Sequence, residues 1–279
     1  MNTISLPDAL QLNTEASIAI FNYQTRKEVS KQQILLNKNT FSFLQEGHKE
    51  VYFNNASYAI NKNRFLLMKT GHCLMTEKLA REAHYYRSML LFFSNEDVLS
   101  FIRKHQLNIS KKTSGISTYS FTYDNFIQQF VQSLLAISKL SPTFQQKILP
   151  SKFEEIMLYL AEREGVGFLF SLTTQTSNQT QNFIQTVESN QLNKLTIKEL
   201  AFLANMSIST FKREFKKHFN SPPSKWFQDK RLEHAAFLLQ SPDKRPSDIF
   251  EEIGYESLST FIQAFKLKFG ITPKQYQSK

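Results

Sequence analysis

The chain is predicted to be an α+β protein in two parts: a β-rich N-terminal part with following helices, then an all-α C-terminal part. Three observations predict this. Eight short apolar or alternating runs crowd residues 16–93, separated by turns rich in Asn, Gly and Lys, which is the pattern of strands. From Ser94 onward the apolar residues recur at helical spacing instead. Between Thr196 and Pro273, two helix-turn-helix patterns flank one long helix.

Taken in order, residues 1–14 read as a loose arm. The strand runs are 17–23, 33–36, 40–44, 50–53, 56–60, 64–68, 72–75 and 84–93. Their close, regular spacing argues a sandwich or barrel. Asn95 is a candidate cap for a helix reaching about Lys104, and 106–120 reads as a connecting loop with an edge strand. An apolar-faced helix follows from Tyr123 to about Lys139, through Phe126, Phe130, Val131, Leu134 and Leu135. Ser141-Pro142 begins another. Ser151 with Glu154 forms a capping box that opens a separate helix over 152–163, with Phe153, Ile156, Met157 and Leu160 as its stripe. Gly165 ends it, and 167–173 is a short apolar piece. Residues 174–181 are polar and low in charge, the composition of a linker. The expected domains are therefore 1–173 and 182–279, joined by 174–181.

The first helix-turn-helix unit starts at Thr196, which forms a capping box with Glu199. Leu200 and Leu203 give this helix an inner face, and Ala201 allows close contact with a partner helix. Asn205-Met206 makes the turn, and the Ser207 hydroxyl caps a second helix. There Ile208, Phe211, Phe215 and Phe219 face inward, while Ser209, Lys212, Arg213, Lys216 and Lys217 gather on the other side. An apolar back and a cationic front suit entry into a major groove. In the second unit Gly254 stops the first helix and Ser257 caps the next. Phe261, Ala264, Phe265 and Phe269 point inward, and Ser259, Gln263 and Lys266 outward. The helix between the units, 226–239, carries Leu232, Ala235, Ala236 and Leu239 at helical spacing, with no Gly or Pro inside. Two heads reading one side of B-DNA should sit about 34 Å apart.

This segment resembles the C-terminal DNA-binding domain of AraC/XylS-type transcription regulators. The resemblance is carried by Glu199-Leu200-Ala201, Ser207, Phe215-Lys216-Lys217, Arg231-Leu232, Ala235, Leu238-Leu239, Ile253-Gly254-Tyr255, Ser257, Phe261, Phe265-Lys266 and Phe269-Gly270-Ile271-Thr272-Pro273. It implies that Ser209, Lys212 and Arg213 hold the base-reading positions of the first unit. Leu258, Ser259, Ile262 and Gln263 fall at those positions in the second. Lys216, Lys217 and Lys266, with the helix starts at Ser207 and Ser257, are the expected phosphate contacts. Three features depart from the family pattern. Asn220 stands where the family has Gly, and Asn tolerates the left-handed conformation. Phe250, preceded by Pro246, stands where a small residue is usual. Leu258 and Ile262 are apolar at reading positions, so the first head is expected to read bases and the second mainly to hold phosphates.

The strand-rich segment resembles the cupin-like barrels that precede this DNA-binding domain in the family. That resemblance implies a homodimer, with Phe153, Ile156, Met157 and Leu160 as the pairing stripe; the alternatives are that the stripe packs on its own barrel and that the two heads bind as a monomer. It also implies a regulator, taken as an activator with RNA polymerase as a partner. Control would come from a small-molecule effector or, alternatively, from a docked regulatory protein. A sealed, ligand-sized cavity with a few inward polar groups would favour the former, and a filled barrel with an exposed apolar patch the latter. Tyr52, Phe53, Tyr58, Phe65, Tyr85 and Tyr86 are candidates to line such a cavity or to fill the core.

Composition narrows the function classes. The net charge is +10, and residues 190–279 hold 15 Lys and Arg against 9 Asp and Glu, a balance suited to phosphate binding. His48, His72 and His84 are scattered, so neither a metal nor any other cofactor is expected. With 7 Gly in the chain and no nucleophile elbow, phosphate loop or paired-carboxylate site, no catalytic residues and no enzyme activity are expected. Cys73 is the one cysteine, which fits a reducing compartment. No signal peptide or membrane-spanning run is read, and the expected location is the cytoplasm.

Overall fold

The computed structural model describes residues 2–12, 16–107, 118–173, 179–241 and 243–278. The chain divides into two compact units, residues 1–185 and 186–279. In the first unit the strands are β1 (Ile4–Leu6), β2 (Ala19–Thr25), β3 (Val29–Leu36), β4 (Asn39–Glu46), β5 (His48–Tyr52), β6 (Ser57–Ile60), β7 (Arg64–Met68), β8 (Gly71–Lys78) and β9 (Tyr86–Phe93). Helix α1 (Asn95–Lys104) precedes β10 (Thr118–Thr122). The strands form two five-stranded sheets, ordered β1-β3-β8-β5-β6 and β10-β7-β4-β9-β2. Pairing is antiparallel except for β1, which lies parallel to β3 through Ile4↔Ile34, Ser5↔Leu35 and Leu6↔Leu36.

Side chains alternate across a strand, and the second sheet buries both of its faces. On one face Leu44, Leu66, Met68 and Tyr86 join Ile34, Leu36, Val51, Cys73 and Met75 of the first sheet. On the other, Phe41, Phe43, Phe65, Leu67, Met89, Leu91 and Phe93 meet the helices. Those helices are α2 (Asn125–Ile137), α3 (Pro142–Glu164) and α4 (Gly167–Thr173). The rings interlock across the layer, with centroids 5.0 Å apart for Phe43–Phe65 and for Phe93–Phe153 and 5.7 Å for Phe43–Phe130. Burial on both faces is why these strands read as nearly continuous apolar runs.

Several expectations are corrected here. The N-terminal segment is not a loose arm, since β1 adds to the edge of the first sheet. Ser94, not Asn95, caps α1: its Oγ accepts from Asp97 N–H at 3.1 Å, and Asp97 accepts from Ser94 N–H at 2.7 Å. Asn95 instead accepts from Asn39 Nδ2 at 2.7 Å. The capping box at Ser151 and Glu154 does not form, because α3 runs unbroken through Pro150 from its cap at Ser141. Proline in a helix interior costs about 3 kcal/mol. Here Leu149, Phe153, Ile156, Met157 and Leu160 share one buried face across the proline, and that burial outweighs the cost. Glu154 is drawn to Lys104, 2.6 Å away.

The expected pairing stripe is also corrected. Phe153 is 3% exposed, and Ile156, Met157 and Leu160 are 0% exposed. They belong to this unit's own core and present nothing to a second chain. Of the expected linker, 174–178 lies outside the described residues, and 179–181 is already the first turn of α5 (Gln179–Ser189). Of the loop expected at 106–120, residues 108–117 lie outside the described residues, and the edge strand is β10, paired with β7. Cys73 is fully buried, and burial pushes its thiol up to about 12, so a reactive thiolate is disfavoured.

A cavity of about 390 Å³ remains between the sheets. Mostly aliphatic side chains line it, with Tyr23, Gln32, Thr40, Lys49 and Glu77 as the polar ones; none of Tyr52, Phe53, Tyr58, Phe65, Tyr85 and Tyr86 does. Phe65 faces the helices, while Phe53 and Tyr86 fill the core between the sheets. Among the described residues no helix is long and apolar enough to cross a membrane.

The second unit is helical: α6 (Ile197–Leu203), α7 (Ile208–Phe219), α8 (Pro223–Leu238), α9 (Pro246–Ile249), α10 (Leu258–Phe269) and α11 (Pro273–Gln277). In α8, Leu232, Ala235 and Ala236 are buried, and with Leu239 just beyond it they join Ile249, Ile253, Phe261 and Phe265 in one core.

Phe65→Ala should destabilise the first unit by about 3–5 kcal/mol, the usual cost of emptying a buried aromatic site, read as a lowered urea midpoint. Ile156→Asp with Leu160→Asp should abolish the near-UV circular dichroism of this unit. A folded monomer recovered from that variant would restore the stripe to the surface.

Candidate nucleic-acid interface

The two helix-turn-helix units are built alike. α6 starts at Thr196, whose Oγ1 accepts from Glu199 N–H at 3.2 Å while Glu199 accepts from Thr196 N–H at 2.6 Å. It ends in paired return bonds, Asn205 N–H to Phe202 O at 3.0 Å and Met206 N–H to Ala201 O at 2.9 Å. This Schellman closure needs a left-handed residue, and Asn205 supplies it with φ +54°. In the second unit Gly254 plays that part at φ +90°, with Gly254 N–H to Glu251 O at 3.1 Å and Tyr255 N–H to Phe250 O at 2.9 Å. The helix before it, α9, is one turn long. It continues as hydrogen-bonded turns through Ile253 N–H to Ile249 O at 3.0 Å, so the turn forms with Pro246 at the first helical position and Phe250 as its C-cap.

The recognition helices begin and end in the same way. Ser207 and Ser257 each accept from the amide three residues on, at 3.1 and 3.2 Å. Asn220, with φ +49°, and Gly270, with φ +78°, close α7 and α10 in the left-handed region, donating to Lys216 O and Lys266 O at 3.1 and 2.8 Å. Asparagine thus performs the turn that glycine performs in the second unit. Ser207, Phe211, Phe215, Phe219 and Pro223 recur at the same mutual spacing as Ser257, Phe261, Phe265, Phe269 and Pro273. Trp226 packs on Phe215 and Phe219 at 5.6 and 5.0 Å, and Tyr276 packs on Phe265 and Phe269 at 5.5 and 5.7 Å.

The outward face of α7 carries Ser209, Lys212, Arg213, Lys216 and Lys217, all exposed. Ser207 Oγ and Ser209 Oγ lie 2.9 Å apart at its start, beside the backbone amides that a phosphate can reach. Ile208 departs from the expected inner face and is 43% exposed. Sequence reasoning passed over Glu214. Its carboxylate sits 3.6 Å from Arg213 Nε, 4.0 Å from Lys217 Nζ and 3.8 Å from His218 Nε2. The spacing could have revealed it, since residues three and four apart meet on one helix face. Arg213 and Lys217 remain 73% and 71% exposed, so these pairs are weak, roughly 0–1 kcal/mol each, and a nucleic-acid anion can displace them.

On α10 the expected residues Ser259, Gln263 and Lys266 are exposed together, with Ser257 at the helix start. Leu258 packs against the unit's core, and Ile262 is half-buried. Lys268 is tied to α8, donating to Asp229 O and Glu233 Oε1 at 3.0 Å each. This face therefore offers one lysine where α7 offers three lysines and an arginine.

Known proteins carry the same two parts. Residues 39–172 match the ExsA N-terminal regulatory domain, and residues 200–279 match a helix-turn-helix domain. The virulence regulon transcriptional activator VirF of Yersinia enterocolitica is 29% identical over 156 residues, 56% of this chain and 57% of that protein. The regulator ExsA of Pseudomonas aeruginosa is 30% identical over 125 residues, 44% of this chain and 45% of that protein. The chain spans about half the length of the curated relatives it matches. Among solved structures, apo ToxT from Vibrio cholerae aligns over 96% of this chain and 98% of its own, at 14% identity and a TM-score of 0.45. The C-terminal domain of the response regulator yesN from Fusobacterium nucleatum aligns over 35% of this chain and 93% of its own, at 34% identity and a TM-score of 0.31. The chain thus pairs an ExsA-type N-terminal regulatory domain, over residues 39–172, with a helix-turn-helix domain of the AraC type, over residues 200–279.

Proposed function

We propose that the chain is a sequence-specific DNA-binding transcription activator whose first helix-turn-helix reads bases through α7. The observation that carries the reading is the exposed row Ser209, Lys212, Arg213, Lys216 and Lys217 on a helix whose opposite face is locked by Phe211 and Phe215. Arg213 and Lys212 donate to guanine O6 and N7, the commonest base-specific contact, and Ser209 adds a weaker one. Lys216 and Lys217, with the amides after Ser207, hold phosphates and fix register. α10 serves chiefly as the second phosphate anchor, through Lys266 and the amides after Ser257, with Ser259 and Gln263 as its base contacts.

The family extends the proposal to a cytoplasmic homodimer that engages RNA polymerase. We take residues up to 173 as the regulatory domain and those from 182 as the DNA-binding domain. Control by a small molecule is favoured over a docked regulatory protein by the cavity between the sheets, which has few inward polar groups.

Arg213→Ala should cost about 1–3 kcal/mol on the selected site and relax one base position, measured by titrating the full chain against the site and its single-base variants. Equal weakening on every sequence would make Arg213 a phosphate contact. Lys216→Ala should lower the slope of log K against log salt by about one, with base preference unchanged; an unchanged slope would remove Lys216 from the interface.

A further inference from the structure

The cavity between the sheets has chemistry of its own. Its wall is aliphatic, with Ile34, Leu36, Met68, Met75 and Leu90 prominent, and Leu6 and Leu10 of the N-terminal segment contribute to its lining. One ion pair also lines it, Lys49 with Glu77. Lys49 Nζ lies 3.3 Å from Glu77 Oε1 and 3.4 Å from Tyr86 Oη. The two charged side chains are 3% and 8% exposed. An ammonium has three N–H groups, so among the described residues one remains beyond these two partners. Burial and the neighbouring Glu77 push the Tyr23 phenol up to about 12, which keeps it a neutral hydroxyl.

The pair sets the charge that the cavity accepts. Lys49 and Glu77 cancel each other, and among the described residues no other lysine, arginine, aspartate, glutamate or histidine lines the space. A carboxylate or ammonium brought in would be stripped of water with no counter-charge of its own, which is strongly unfavourable. An uncharged head able to accept from Lys49 and to donate to Glu77 meets no such penalty. The volume falls in the range of ligand pockets. A cavity of about 150 Å³ holds benzene, so by the same ratio this one holds roughly 15 non-hydrogen atoms.

We propose that this cavity binds an uncharged amphiphile: an apolar body of roughly 15 non-hydrogen atoms or fewer with one neutral hydroxyl or N–H-bearing amide head, seated against Lys49 and Glu77. The N-terminal segment is its closure. β1 is held by three residue pairs to β3 and by Asn37 N–H to Leu6 O at 2.8 Å, a short edge that can lift to admit the ligand. The site deepens the reading of this unit as a regulatory domain, and its ligand binding is measured without DNA.

The test titrates the full chain in a calorimeter with 1-decanol and, separately, with decanoate, which share chain length and differ in head charge. Decanol should bind saturably and at least ten-fold more tightly than decanoate. Val29→Phe, which places a ring against the cavity, should weaken decanol at least ten-fold; Leu36→Phe does the same from further along β3 if the first variant fails to unfold cooperatively. Glu77→Gln leaves Lys49 uncompensated and should reverse the order of the two probes. The proposal is overturned if the native chain binds neither probe saturably, if decanoate binds as tightly as decanol, or if decanol binding is indifferent to the filling variant that folds. Any of these outcomes leaves the DNA-binding reading standing, and loss of base selection by α7 would leave this site standing.

Discussion

Phe215 touches Phe211, Phe219, Trp226 and Phe227 at once, with ring centroids 4.6 to 5.8 Å apart. The rotation of α7 follows from that contact. Such a cluster buries a large apolar area and favours specific ring geometries, so the helix cannot turn without breaking it. The cationic row is outward because the rings are inward. Phe261, Phe265, Phe269 and Tyr276 impose the same constraint on α10. The two recognition helices thus share a frame and differ in what that frame presents.

The first unit depends on a related constraint applied to a sheet. The strand set β10-β7-β4-β9-β2 is apolar on both faces, so it requires a layer on each side. The helices cover one face, which draws in the whole stripe of α3 and removes it from the surface. The other sheet covers the second face incompletely, and the remaining space is the cavity with its neutral ion pair. A buried pair of this kind contributes little to stability compared with well-packed apolar residues. Its consequence lies in the polarity it gives to an otherwise aliphatic space.

Much of this was legible in the residues. The eight strand runs, the capping boxes at Thr196, the serine caps at Ser207 and Ser257, and the left-handed turn at Asn220 are local features. Each depends on contacts within three or four residues. The exposed set on α7 was equally legible, because a 3.6-residue period and a strong Phe stripe determine both faces together. Reading went astray where distant partners decide. Asn95 gave way to Ser94 because Asn39 engages its side chain, and Ser151 lost its cap because the core holds α3 straight through Pro150. Glu214 is a local feature too, since Lys217 and His218 lie three and four residues on along the same helix face.

Local pattern is enough for most element types, the paired helix-turn-helix organisation, the caps and turns that frame each recognition helix, and the cationic face of α7. These rest on short-range hydrogen bonds and on periodicity, which a linear chain already contains. Only the tertiary structure decided which side of the stripe on α3 is occupied, that the N-terminal residues dock as a strand, and that Lys49 meets Glu77 beside a cavity. Each of these depends on residues far apart in the chain being brought together, and on whether two layers fill the space between them, which no local pattern records.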